Sequence, residues 1–184
     1  KYDFDSIIDR NGKDAIAVDV IPFEGAKVKT EFSKIPMWVA DMNFAVVPTI
    51  QEEIIERTKH PAFGYFLPRD EYYSSIIGWQ NKRNGVAGLT KDDIGYENGV
   101  LGCVASALQA FTAPGEAVLL HSPTYIGFTH AIEDNGRKIV LSPLVQDENG
   151  VWRMDYDDMD RKIKENNIHF CVFCSPHNPC GRVW

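Results

Sequence analysis

Three observations predict an α/β fold, with a mostly parallel sheet and flanking helices in three α/β/α layers. The first is alternation: strand-like segments at Ile94–Glu97, Ala117–His121, Lys138–Leu141 and Ile168–Cys174 are separated by helical stretches. Strands that alternate with helices form parallel sheets covered by those helices. The second is composition, 44% hydrophobic and 24% charged over 184 residues. Those values suit a soluble globular chain with one good core, or one and a fraction of a larger domain. The third is punctuation. Glycine and proline close the strands at Asn98-Gly99, Ser122-Pro123 and Ser175-Pro176, where an α/β protein places its ligand.

Residues 1–45 show little periodicity and read as an extended arm with turns at Asn11-Gly12, Pro22 and Gly25. From Pro48 apolar residues recur at helical spacing, with proline at a permitted first-turn position. A second helix is expected from about Arg69 to Arg83, stopped by Asn84-Gly85. Thr90-Lys91-Asp92-Asp93 has the form of a capping box with Asp in place of Glu. Helices are then expected at Cys103–Thr112, Tyr125–Asn135 and Asp155–Asn166, with a hairpin-like turn at Asp147-Glu148-Asn149-Gly150.

The formal charge, 19 − 26 = −7, argues against nucleic acid or an anionic membrane as the main partner. No apolar run approaches the roughly 18 residues needed to span a bilayer, and the first residues are not a signal peptide. A cytoplasmic location is the expectation. Cys171 and Cys174 form a C-x-x-C followed by His177 and Cys180, which superficially suggests zinc. On a strand, residues three apart face opposite ways, and no helix start is at hand to activate a thiol. Buried, inert thiols are therefore expected, and no metal.

Three strand ends carry candidate ligand groups. Asn98-Gly99-Val100-Leu101-Gly102 enters a helix, and free N–H groups at a helix start favour an anion such as phosphate. A plain tight turn between strand and helix fits this segment as well. Ser122-Pro123-Thr124-Tyr125 presents an aromatic at a helix start, with Thr124 as a candidate cap. Tyr125 either stacks on a flat ligand ring or packs between helix and loop. In Ser175-Pro176-His177-Asn178-Pro179, Asn178 is a polar group held between two prolines.

Met37-Trp38-Val39-Ala40-Asp41-Met42, Phe63-Gly64-Tyr65, Ser122-Pro123-Thr124-Tyr125 and Asn178-Pro179-Cys180-Gly181-Arg182-Val183-Trp184 occur in this order. The set resembles enzymes of fold type I that depend on pyridoxal 5'-phosphate (PLP), the aminotransferase class I/II superfamily. Within it the chain is most similar to the MalY/PatB-type cystathionine β-lyases, or C–S lyases. The resemblance implies that 1–45 is an N-terminal arm and small-domain segment, and that 46–184 is the first half of the large PLP-binding domain. It implies that the backbone of Gly99, Val100 and Leu101 holds the cofactor phosphate. Tyr125 would stack on the pyridine ring and Asn178 would hydrogen-bond the ring hydroxyl. Tyr65 would reach the cofactor of a neighbouring subunit, making the active form a homodimer. Val39 and Ala40 would border the carboxylate of a small amino-acid substrate; Asp41 is given no chemistry.

The activity so implied is β-elimination from cystathionine- or cysteine-type amino acids, giving pyruvate, ammonia and a thiol. An aminotransferase is the alternative, and a catalytically inactive binding or dimerisation fragment a reading of another class. By the same resemblance, the Schiff-base lysine, the carboxylate facing the pyridine nitrogen and the carboxylate-binding arginine lie beyond Trp184. The 184 residues alone are then expected to be inactive.

Overall fold

The structure, a computed structural model, describes residues 2–22, 25–27 and 35–184. The turn expected at Gly25 falls in a described segment, while its neighbours Phe23 and Glu24 lie outside the described residues. The backbone divides into two units, Lys1–Pro68 and Arg69–Trp184.

In the first unit, a short helix α1 (Ile16–Asp19) interrupts a stretch expected to be an extended arm with turns. Ala15 and Ala17 are its buried anchors, and the Trp38 indole N–H donates to the Ala17 carbonyl at 3.3 Å. Helix α2 (Pro48–Thr58) starts on proline, which needs no N–H partner there. It buries none of its residues: Ile50, Ile54 and Ile55 are 49%, 59% and 60% exposed.

The second unit opens with α3 (Asp70–Asn84), which ends where Gly85 takes φ 67°. That left-handed conformation costs glycine nothing, and its N–H satisfies the Asn81 and Gln80 carbonyls. The Thr90 N–H and hydroxyl both donate to Asp93 Oδ2, at 2.7 and 2.8 Å, opening a 3-10 turn at Lys91–Asp93. The strand expected at Ile94–Glu97 does not form among the described residues. A strand exists through its ladder, and no strand among the described residues pairs with this segment.

From there the alternation holds: α4 (Gly99–Phe111), β1 (Ala117–Ser122), α5 (Ile126–Asp134) and β2 (Lys138–Pro143). The Asp147 turn joins β3 (Val145–Gln146) to β4 (Trp152–Arg153) as an antiparallel hairpin. Helix α6 (Tyr156–Glu165) follows, capped by the Asp155 carboxylate accepting from the Asp158 N–H at 2.9 Å. The last strand, β5 (Cys171–Val172), is shorter than the expected Ile168–Cys174, because only these two residues face β1 in register.

The three long-range strands make a parallel sheet in the order β2-β1-β5. The central strand β1 is paired on both edges, and Val118, Leu119 and Leu120 are at most 1% exposed. Val118 and Leu120 pack with Leu108 of α4, Phe128 and Ile132 of α5 and Val172 of β5. Burial on both faces is why β1 reads as a continuous apolar run rather than an alternating one.

A buried guanidinium ties this core to α4. Arg137 is 8% exposed and faces no carboxylate among the described residues. Its Nε donates to Thr112 Oγ1 at 2.9 Å, and its terminal nitrogens to the Leu108, Thr112 and Asn135 carbonyls. The Leu108 carbonyl also accepts the Thr112 N–H at 3.0 Å, whereas the Thr112 and Asn135 carbonyls stand at the C-caps of α4 and α5, where the helix dipole favours a cation. Arg137→Met is expected to leave the Thr112 and Asn135 carbonyls unpaired and to cost about 2–3 kcal/mol, read as a lower urea midpoint. An unchanged midpoint would contradict the assignment.

On the other side, α6 is fastened to β2. Hydrogen bonds from Lys162 and Ser142, and from Arg161, hold the Asp158 carboxyl well below its ordinary value, at about 2. A carboxyl with a depressed folded-state value stabilises the fold above its unfolded-state value of about 3.9. That contribution fades as the pH falls toward about 2. Asp158→Asn is therefore expected to flatten the loss of stability between about pH 4 and pH 2, followed by denaturation midpoints across that range.

Candidate functional site

The carboxyl ends of β1 and β5 bring two of the expected residues to one edge of the sheet. After β1, Pro123 and Thr124 lead to Tyr125, which is 40% exposed and occupies the N-cap position of α5. Thr124, the candidate cap, does not cap: its hydroxyl is buried without a hydrogen-bond partner. The helix starts one residue later than expected, so the capping position falls on a tyrosine.

The Tyr125 ring lies over bare backbone. A Cβ added at Gly127 would stand 2.4 Å from Tyr125 Cε1 and 2.9 Å from Leu101 Cδ1. The ring therefore rests on α5 beside Leu101, with Phe128 edge-on at 5.5 Å. This packing fixes one side of the ring against the protein. It also brings Leu101, from the start of α4, next to Tyr125.

At that helix start, Gly99 takes φ 78° with open space where a side chain would project. Its own N–H is already given to the Glu97 carbonyl at 2.9 Å. No side chain caps α4, so Val100 and Leu101 are the residues whose first-turn N–H groups are free for an anion. Glu97 turns its carboxylate onto Ser106 Oγ at 2.8 Å, along the flank of the same helix.

After β5, the chain folds into a tight loop closed by His177 N–H to Arg182 O at 2.7 Å and Gly181 N–H to His177 O at 2.6 Å. Asn178 sits on this loop, exposed, and its amide makes no hydrogen bond among the described residues. The preceding His177 is buried, with Nε2 at 2.8 Å from the Pro123 carbonyl. His121 of β1 is also buried, edge-on to His177 at 6.4 Å. Burial, with His177 nearby, lowers the pKa of His121 and favours its neutral form.

Tyr65, Val39 and Ala40 belong to the first unit and are described with it. Tyr65 is fully exposed, Ala40 is exposed and Val39 half-buried. Asp41, given no role by the sequence, holds this stretch in place: Arg10 donates to Asp41 Oδ2 at 2.7 Å and to Asn43 Oδ1 at 3.1 Å.

The thiols differ from expectation. Cys103 and Cys171 are exposed, and Cys174 and Cys180 half-buried. Cys103 lies on α4 and Cys171 on β5, each with its residue left exposed, while Cys174 packs partly against the core. Desolvation nonetheless raises the Cys171 and Cys180 pKa values, so neither is an activated thiolate. Cys174 Sγ turns to the Pro176 carbonyl and His177 to Pro123, so the zinc-like spacing does not converge. Among the described residues, no His, Cys, Asp and Glu groups cluster to hold a metal, and no helix is long and apolar enough to cross a membrane.

The family model for aminotransferase class I and II matches residues 34–184. The chain belongs to that family. Other members resemble it over long stretches. The cystathionine β-lyase PatB of Bacillus subtilis (strain 168) is 37% identical over 82% of this chain and 38% of its own length. Protein MalY of Escherichia coli (strain K12) is 28% identical over 100% of this chain and 46% of its own. The crystal structure of a PLP-bound C-S lyase from Staphylococcus hominis superposes with a TM-score of 0.82. It is 31% identical, covering 100% of this chain and 45% of that one. The fold is thus the α/β fold of this PLP-dependent group, and the chain spans less than half the length of the relatives it matches.

Gly127 and His177 had no assigned role in the sequence. The visible signal for Gly127 was a small residue two positions after an exposed aromatic. Gly127→Ala is expected to force the Tyr125 ring off α5 at a cost of about 1–2 kcal/mol. Gly78→Ala in α3, where the added Cβ meets open space, should instead gain about 0.5–1 kcal/mol. Urea denaturation reads both, and equal effects would contradict the packing described.

Proposed function

We propose that the full-length protein is a PLP-dependent C–S lyase that cleaves cystathionine- or cysteine-type amino acids to pyruvate, ammonia and a thiol. The observation that carries the reading is the convergence at one sheet edge of Tyr125, Leu101 and an unengaged Asn178 amide. The names of the relatives PatB and the Staphylococcus hominis C-S lyase support it.

The residues present suit the cofactor chemically. Tyr125 has one face packed on Gly127 and remains 40% exposed, which leaves aromatic surface for a flat ring. The Asn178 amide is free to donate to a ring hydroxyl, and the N–H groups of Val100 and Leu101, after the Gly99 turn, suit a phosphate. When bound, PLP supplies an electron sink for negative charge at the substrate Cα. The chain's own part is to bind and orient: phosphate at the α4 start, ring against Tyr125, ring hydroxyl on Asn178. Val39 and Ala40, on the segment braced by Arg10 and Asp41, would border the substrate carboxylate. Tyr65, fully exposed, would serve the cofactor of a neighbouring subunit in a homodimer. The cytoplasmic setting expected from the sequence belongs to the same reading.

An aminotransferase is the second reading, favoured by the family itself. The two separate in one assay. The full-length protein, incubated with cystathionine or cysteine and no keto acid, is expected to release pyruvate and to show the visible absorption of bound PLP. Turnover that strictly requires a keto-acid acceptor would reject the lyase; absence of PLP binding would reject both.

A further inference from the structure

We propose that His177 is a positioning residue, a strap whose Nε2–H to Pro123 hydrogen bond holds Tyr125 and Asn178 in the mutual geometry that one cofactor ring requires. This rests on the PLP reading above, and it concerns a residue that would not itself touch the cofactor.

The bond crosses between the two loops of the site. His177 immediately precedes Asn178, and Pro123 lies two residues before Tyr125. The Nε2···O distance is 2.8 Å, and the imidazole is 2% exposed. A carbonyl oxygen only accepts, so Nε2 carries the proton and Nδ1 is the bare nitrogen. Nδ1 is buried with no partner, so a proton there would be a buried donor without an acceptor, a costly state. The tautomer is thereby set by the environment.

The ring has little room to move. His121 stands edge-on at 6.4 Å and Trp184 at 5.7 Å. Trp184 is itself anchored, its indole N–H donating to the Cys174 carbonyl at 2.9 Å. The Arg182 guanidinium lies 5.9 Å from the Trp184 ring, and the Arg182 and His177 backbones are bridged. Desolvation favours neutral His121, so no cation is set against His177 from β1. The loop that bears Asn178 is therefore closed on itself by backbone bonds and fixed to the neighbouring loop by one side chain.

A stack and a hydrogen bond made to the same rigid ring tolerate errors of only about half an ångström. Two loops at separate strand ends do not meet that tolerance unless something couples them. Among the described residues, the His177 side chain is what hydrogen-bonds from the Asn178 loop to the Tyr125 loop.

The test uses the full-length protein and PLP, comparing His177→Gln with His177→Phe. A glutamine amide nitrogen can reach the Nε2 position and donate to Pro123; phenylalanine fills the space without a donor. The dissociation constant for PLP is expected to stay within about threefold in the glutamine variant. It should rise by about tenfold or more in the phenylalanine variant, the equivalent of one lost hydrogen bond, with unchanged far-UV circular dichroism. The visible circular dichroism of bound PLP should weaken with the latter only. In the wild type, 15N spectra of His177 should show the Nε2–H tautomer, whatever the folding of the variants. A phenylalanine variant that binds like wild type, equal losses in both variants, or the Nδ1–H tautomer would each overturn the assignment while leaving the PLP reading intact. A wild-type protein that binds no PLP would overturn both.

Discussion

The burial of β1 is the constraint on which the second unit depends. Val118, Leu119 and Leu120 are fully enclosed, β2 and β5 occupy both edges, and α4 and α5 close one face. A strand saturated on its edges and faces has one register available, since a one-residue slip would exchange its two sets of side chains. Its carboxyl end is therefore a fixed point. His121, Pro123 and Tyr125 inherit their positions from it, and β5, paired to it through Leu119 and Leu120, delivers His177 and Asn178 to the same edge.

The periphery is held by polar devices suited to what each must satisfy. Arg137 supplies donors to carbonyls at the end of α4, and Asp158 gathers Ser142, Arg161 and Lys162 to join α6 to β2. In the first unit, Arg10 braces the segment around Asp41 through a pair spanning 31 residues. By contrast, α2 exposes Ile50, Ile54 and Ile55.

Local chemistry was legible in the sequence and long-range partnership was not. The stop of α3 at Gly85, the capping box at Thr90 and the hairpin at Asp147 each follow from residues a few positions apart. Tyr125 and Asn178 were visible because proline and glycine mark strand ends. The unpaired Ile94–Glu97 segment, the shortened β5 and the exposed cysteines were not, because each depends on which backbone or surface lies alongside. The contact between His177 and Pro123 joins residues 54 apart, and no pattern of residue types announces it. The Tyr125–Gly127 packing falls between: the glycine is visible, but the ring lying on it is a matter of rotamer.

Family membership and site geometry meet in one claim, that the ends of β1 and β5 with the start of α4 form the wall of a PLP site. A crystal structure of the full-length protein with PLP tests it most directly. The account predicts the phosphate at the Val100 and Leu101 N–H groups, the pyridine ring against Tyr125 and its hydroxyl on the Asn178 amide. PLP bound elsewhere, or bound here with Tyr125 and Asn178 both turned away from its ring, would contradict it.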